Sequence, residues 1–223
     1  VDFPVVAEEA TAAGHVPEVA DCFWLVDPLD GTREFVNRNG EFTVNIALIE
    51  NGSPLLGVVF APAIGALYAG SRAGGAYIED AEGRRAIKAR EPAPEGLDVL
   101  ASRSHGDSAA LTQLLAGRPI RSLINAGSSL KLCLLAAGQA DIAIDISDAI
   151  GARLAKQDGD QAAADANTRP RQGRPMEWDI AAGHAVLAAA GGQIQTLDGS
   201  PLLYGKPGFE NPHFVACGAQ PFF

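Results

Sequence analysis

Asp27-Pro28-Leu29-Asp30-Gly31-Thr32 places two carboxylates, a hydroxyl and a glycine in one short stretch. The apolar, β-prone run at 23–26 leads straight into it, so the spacing predicts a strand that stops at Asp-Pro and turns through Asp-Gly. Pro28 removes a backbone donor and fixes φ, while Gly31 allows close backbone approach. Carboxylates three residues apart across a tight turn can converge on one point. That point repels itself unless a cation sits there, and all-oxygen ligation suits a hard ion such as Mg²⁺. A bare DPxDG would fit an acidic surface turn equally well; the whole string behind an apolar strand favours a metal site.

Other segments carry groups of the same kind. Glu8 and Glu9 end a short strand at 3–7 and, taken alone, read as solvated charge. Asp179 stands at the start of a helix expected at 180–190, whose Ala182, Val186 and Ala189 form a buried stripe. In isolation Asp179 is an N-cap, and His184, five residues on and off its face, is a packed histidine rather than a ligand. Gly127-Ser128-Ser129-Leu130-Lys131 opens a further helix running to Ala137. A serine N-cap explains it structurally, and hydroxyls plus a lysine at a helix N-terminus also describe an anion site. Ser102-Arg103-Ser104-His105 closes a strand at 97–101; it is either an ordinary loop or a donor cluster for a phosphate or a base.

The elements that must hold these groups are mostly strands. Residues 42–50, Asn51-Gly52 and 55–61 read as a hairpin. Strands at 66–71 and 75–79 continue the sheet, and strands at 193–196 and 212–217 close the chain. Antiparallel strands in succession without intervening helices indicate an α+β half-chain. The charged, Pro-rich stretch 84–96 reads as a surface connection and a seam, dividing an N-terminal metal-binding lobe, 1–96, from a C-terminal lobe, 97–223.

The 223 residues, 47% of them hydrophobic, suffice for a substantial core. No apolar run approaches the roughly 20 residues of a bilayer span. Cys22, Cys133 and Cys217 lie far apart in apolar stretches without CxxC pairing, the pattern of reduced core thiols in a cytosolic protein. A net charge of −10 without a basic stripe excludes a polymeric nucleic-acid groove. It still admits a small phosphorylated substrate if metal ions supply local positive charge. The chain opens on Val1 in mid-pattern, so N-terminal helices are expected upstream of it.

DPLDGT, with its continuation Arg33-Glu34-Phe35-Val36-Asn37-Arg38-Asn39-Gly40-Glu41-Phe42-Thr43-Val44-Asn45, resembles the lithium-sensitive, Mg²⁺-dependent inositol monophosphatase superfamily. Within it, the string is similar to the CysQ-type 3'(2'),5'-bisphosphate nucleotidases. The resemblance runs from Val1 to about Asp141 and resumes near Pro170. It implies an α+β fold, the layered αβαβα sandwich of the sugar phosphatases, and two or three Mg²⁺ ions. It further implies hydrolysis of the 3'-phosphate of adenosine 3',5'-bisphosphate to AMP. The carried-over ligands are Asp27 as the bridging carboxylate, with Glu8 and the Leu29 carbonyl on one ion. Asp30 and Asp179 take the other. Thr32 and Glu8 would orient the attacking water, and the Gly31 and Thr32 N–H groups would hold phosphate oxygens. Ser102, His105, Gly127, Ser128, Ser129, Lys131 and Arg171 would bind the second phosphate and the sugar.

The resemblance breaks at 142–168. There residues 157–167 are similar instead to the family's N-terminal region, with Asp165 at the place of a metal-assisting aspartate. An insertion, a displaced segment and coincidence account for this equally, and either Arg169 or Arg171 could then face substrate. The implied partner is a small nucleotide and the location cytoplasmic, at most peripheral to the inner membrane; oligomeric state is not implied. An inositol monophosphatase-like enzyme and a catalytically weak metal-binding regulator are the alternatives.

Overall fold

The computed structural model of the chain describes residues 2–101, 115, 117–127, 129–145 and 174–222. A short strand β1 (Val5–Ala7) runs into helix α1 (Glu8–Ala12), and β2 (Cys22–Asp30) into the single-turn helix α2 (Thr32–Val36). Then come β3 (Thr43–Glu50), β4 (Ser53–Ala61), β5 (Ala66–Ser71), β6 (Gly75–Asp80) and β7 (Gly83–Ile87). These seven strands form one sheet in chain order, parallel only between β1 and β2.

The second sheet is built from β8 (Leu97–Ala101), β9 (Ile120–Asn125), β10 (Ile142–Asp145), β11 (Gln193–Thr196) and β12 (Phe214–Cys217). Its order is β11-β12-β10-β8-β9, parallel through β10, β8 and β9 and antiparallel at β12. Helices α3 (Leu130–Ala136) and α4 (Glu177–Ala189) pack on each other, α4 against β2 to β6 and α3 against β10.

Alternation fixes which way each strand faces. In β10, Ala143 joins the main core while Ile142 and Ile144 join a smaller cluster on the far side; in β12, Phe214 and Ala216 oppose Val215 and Cys217 in the same manner. The first sheet turns Phe23, Leu25, Ala47, Ile49, Val59 and Tyr68 inward. Two glycines let α4 lie unusually close: a Cβ at Gly57 would sit 2.5 Å from the Ala182 carbonyl oxygen, and one at Gly70 2.8 Å from the Val186 Cα. The result is a sheet, a helical layer and a second sheet, the α+β class expected.

Three expectations are corrected. β2 does not stop at Asp27 but continues to Asp30 through an irregularity in its register with β3. Glu8 and Glu9, read as the end of a strand, begin helix α1. The start of the 84–96 stretch, read as a surface connection, belongs to the edge strand β7, where Arg84 stacks 3.6 Å over the Tyr77 ring. The helix expected to open at 127–131 is present, with Ser129 at its N-cap position and Leu130 as its first residue.

Candidate active site

β1 and β2 run parallel with Ala7 opposite Val26, so the next residue of each, Glu8 and Asp27, emerges at the same end of the sheet. Asp27 is 1% exposed and faces the helical layer; its Oδ1 accepts the Leu29 N–H at 2.9 Å, closing the turn locally. Its carboxyl is pushed up to about 9. Burial is the main cause, followed by the charge of Asp30; the Leu29 N–H opposes the shift, and Glu8 and Asp179 add to it. Three carboxylates from three elements therefore act on a fourth.

Gly31, at φ +83° and with the Glu41 carbonyl oxygen 3.1 Å from where a Cβ would stand, ends β2 and starts α2. Thr32 is exposed, and its hydroxyl donates to the Leu29 carbonyl at 3.4 Å, next to the acidic group.

Asp30 is held through one oxygen. Its Oδ2 accepts the Ser129 N–H at 2.8 Å, the Ser129 hydroxyl at 3.0 Å and the Thr43 hydroxyl at 3.2 Å. Asp179 is not the N-cap of α4, which is Met176; it stands at the third helical position, its Oδ2 accepting the Met176 N–H at 2.7 Å. That helix start is locked by Glu177, fully buried, which takes the Gly205 and Lys206 N–H groups and the Lys206 ammonium at 2.6 Å. His184 is packed as expected, 2.8 Å from the Tyr204 hydroxyl, and burial pushes its imidazole down to about 4, which keeps it neutral.

A cleft of about 130 Å³ opens beside these groups, lined by the polar Asp30, Ser129, Lys131 and Asp179 and by apolar residues including Leu132, Ile144, Ile180 and Phe214. Among the described residues, no three acidic, histidine or cysteine side chains close tightly around one point. The donors still fit a hard divalent cation. All are oxygens, and a proton holds on to the most deeply buried of them well above neutrality because burial and the neighbouring carboxylates disfavour its charged form, a penalty a cation would relieve.

The structure therefore brings Glu8, Asp27, Leu29, Asp30, Gly31, Thr32, Ser129, Lys131 and Asp179 to one region. Gly127 is near, but its N–H donates to the Glu41 carboxylate at 3.0 Å. Ser129, expected as a cap and a phosphate ligand, makes no capping bond to its own helix and is 2% exposed. Ser102, His105, Ser128 and Arg171, with Asp165 and Arg169, lie outside the described residues. Thr43 and Asn45, both fully buried, were not singled out from the sequence. Their signal was legible: polar residues at the inward positions of an alternating strand ask for a polar partner.

Comparison with known proteins gives a consistent picture. Residues 2–216 match the model of the inositol monophosphatase family. The chain is 41% identical over 214 residues to the 3'(2'),5'-bisphosphate nucleotidase CysQ of Escherichia coli K12, covering 96% of this chain and 75% of that one. The crystal structure of CysQ from Bacteroides thetaiotaomicron superposes with a TM-score of 0.75 at 31% identity, covering 99% and 78% of the two chains. An inositol monophosphatase of Thermotoga maritima shares the fold, with a TM-score of 0.68 at 24% identity over 98% of this chain and 70% of that one.

Proposed function

Because this chain belongs to the inositol monophosphatase family, we infer that it is a metal-dependent 3'(2'),5'-bisphosphate nucleotidase. It removes the 3'-phosphate of adenosine 3',5'-bisphosphate, leaving AMP and phosphate. The observation that carries the reading is the 41% identity to a CysQ nucleotidase across 96% of the chain. The gathering of carboxylates around Asp27 supports it.

Asp27, Glu8 and the Leu29 carbonyl, with Asp30 and Asp179, would hold Mg²⁺, two or three ions by the family's pattern. When bound, the metal supplies a water of lowered pKa and charge for the attacking and leaving oxygens. The protein's own groups do the rest. Asp27 would serve as a ligand in its deprotonated form. Thr32 and Glu8 orient the water, and the Gly31 and Thr32 N–H groups hold phosphate oxygens where α2 begins. Lys131, half-buried on the cleft wall, supplies a cation to the phosphate that is not hydrolysed. A nucleotide substrate and three unpaired thiols support a cytoplasmic location.

A phosphate-release panel with Mg²⁺ tests the reading: adenosine 3',5'-bisphosphate should be turned over with the highest kcat/KM. A preference for inositol monophosphate would assign the inositol phosphatase activity instead, and no release from any member would leave a regulator on the same fold.

A further inference from the structure

The Ser129 hydroxyl has one proton to give and an oxygen that accepts. Asn45 Nδ2 donates to that oxygen at 2.9 Å. The proton faces the Asp30 carboxylate at 3.0 Å and the backbone carbonyl of Asp179. Both capacities are therefore used inside the protein, in a side chain 2% exposed, and no donor remains for a phosphate.

The same arrangement saturates Asp30 Oδ2, on which the Ser129 N–H and hydroxyl, the Thr43 hydroxyl and, more loosely at 3.4 Å, Asn45 Nδ2 all converge. Thr43 and Asn45 belong to β3 in the first sheet. Ser129 belongs to the link from β9 in the second sheet into α3. Asp30 is thus gripped from both halves of the molecule at once.

We propose that Ser129, with Thr43 and Asn45, is a positioning residue: it anchors Asp30 through Oδ2, presents Oδ1 to a divalent cation, and fixes Asp30 against the Asp179 backbone. The proposal rests on Asp30 being a metal carboxylate, as read above. A carboxylate anchored through one oxygen ligates through the other. Without the anchors it rotates, and metal affinity falls while discrimination between substrates does not.

Calorimetric titration of the full chain with Mg²⁺ alone tests this, using Asp30→Asn, Ser129→Ala, Ser129→Thr and Thr43→Val, alongside kcat/KM for bisphosphate and monophosphate nucleotides. Ser129→Ala and Thr43→Val should each weaken Mg²⁺ binding by about tenfold or more. Ser129→Thr, which keeps the hydroxyl, should recover most of that loss, and the bisphosphate preference should persist throughout. A Ser129→Ala protein with wild-type Mg²⁺ affinity and a raised KM for the bisphosphate alone would make Ser129 a phosphate ligand and overturn the proposal. Should Ser129→Ala not fold, Thr43→Val decides from the opposite sheet. If Asp30→Asn weakens Mg²⁺ binding while neither anchor variant does, the positioning role fails and the metal reading stands. If Asp30→Asn leaves Mg²⁺ binding unchanged, the metal reading itself fails.

Discussion

A carboxyl that keeps its proton to about pH 9 makes the metal-free protein pH-sensitive in an unusual direction. In the unfolded chain Asp27 ionises near 3.9, so between about pH 4 and pH 9 the folded form binds the extra proton. The stability this protonated group contributes is complete below pH 4 and is lost as pH rises through 9. Asp27→Asn should therefore flatten the decline in melting temperature of the metal-free protein over that window, as thermal unfolding at a series of pH values would record. The same substitution should cost at least about 10²-fold in Mg²⁺-dependent kcat, since a charged ligand is gone. Near-normal turnover would remove Asp27 from the metal site. Thr32→Ala separates two roles: orienting the water predicts a kcat loss of about 10²-fold at little-changed KM, whereas a KM rise alone makes Thr32 a binding residue. At this scale the sequence was most legible where chemistry and local pattern coincide, as in DPLDGT. Ser129 does stand at the N-cap position that its type suggests, but only the tertiary contact with Asp30 shows where its hydroxyl goes.

Among the elements, α3 and α4 set the cleft. Lys131 lies on the first turn of α3 and on the cleft wall. Lys131→Ala should cost the bisphosphate about 1.5–3 kcal/mol, the scale of a hydrogen bond to a charged group, and a monophosphate much less. Comparing kcat/KM for the two substrates checks it; equal losses would detach Lys131 from the second phosphate. α4 is placed by its tight fit over Gly57 and Gly70. Gly57→Ala should destabilise by about 1–3 kcal/mol, since the clash is with backbone that has nowhere to go, and should lower activity by moving Asp179. Thermal unfolding and turnover read the two effects separately. The hairpin β3–β4 and helix α4 were readable because their periodicity survives burial of one face. β7 was not: four of its five residues are exposed, so no apolar alternation marks it, and its charge looks like a loop.

Across the whole molecule, the approach to the second sheet is braced by charge. Asp98 and Asp141 are buried, and between them they engage both Arg90 and Arg121, with Arg90 Nε 2.7 Å from Asp141 and Ser122 donating to Asp98 at 2.6 Å. The Arg121 and Ser122 hydrogen bonds, with Arg90, hold the Asp98 carboxyl well below the usual carboxylate range. Its contribution to stability is present above the ordinary carboxylate pKa and is lost as pH falls below it. Asp98→Asn should accordingly blunt acid unfolding, a shift that circular dichroism across pH 2–5 would detect. The cluster was not legible in the sequence, since its five residues are scattered over Arg90 to Asp141 and only the pairing of β8 with β9 and β10 in the second sheet makes them neighbours.

α4 is among the last elements of the chain, yet it covers β2 to β6, which are made first. A ribosome synthesising this protein releases a nearly finished sheet whose inner apolar face has no cover until residues 177–189 emerge. For most of the time of synthesis Phe23, Leu25, Ile49 and Val59 are open to any passing hydrophobic surface. The buried contacts that protect them span more than a hundred residues of chain, which slows their formation. The nascent chain is thus a natural client for a holding chaperone, and a premature stop before α4 leaves a sheet with its adhesive side outward.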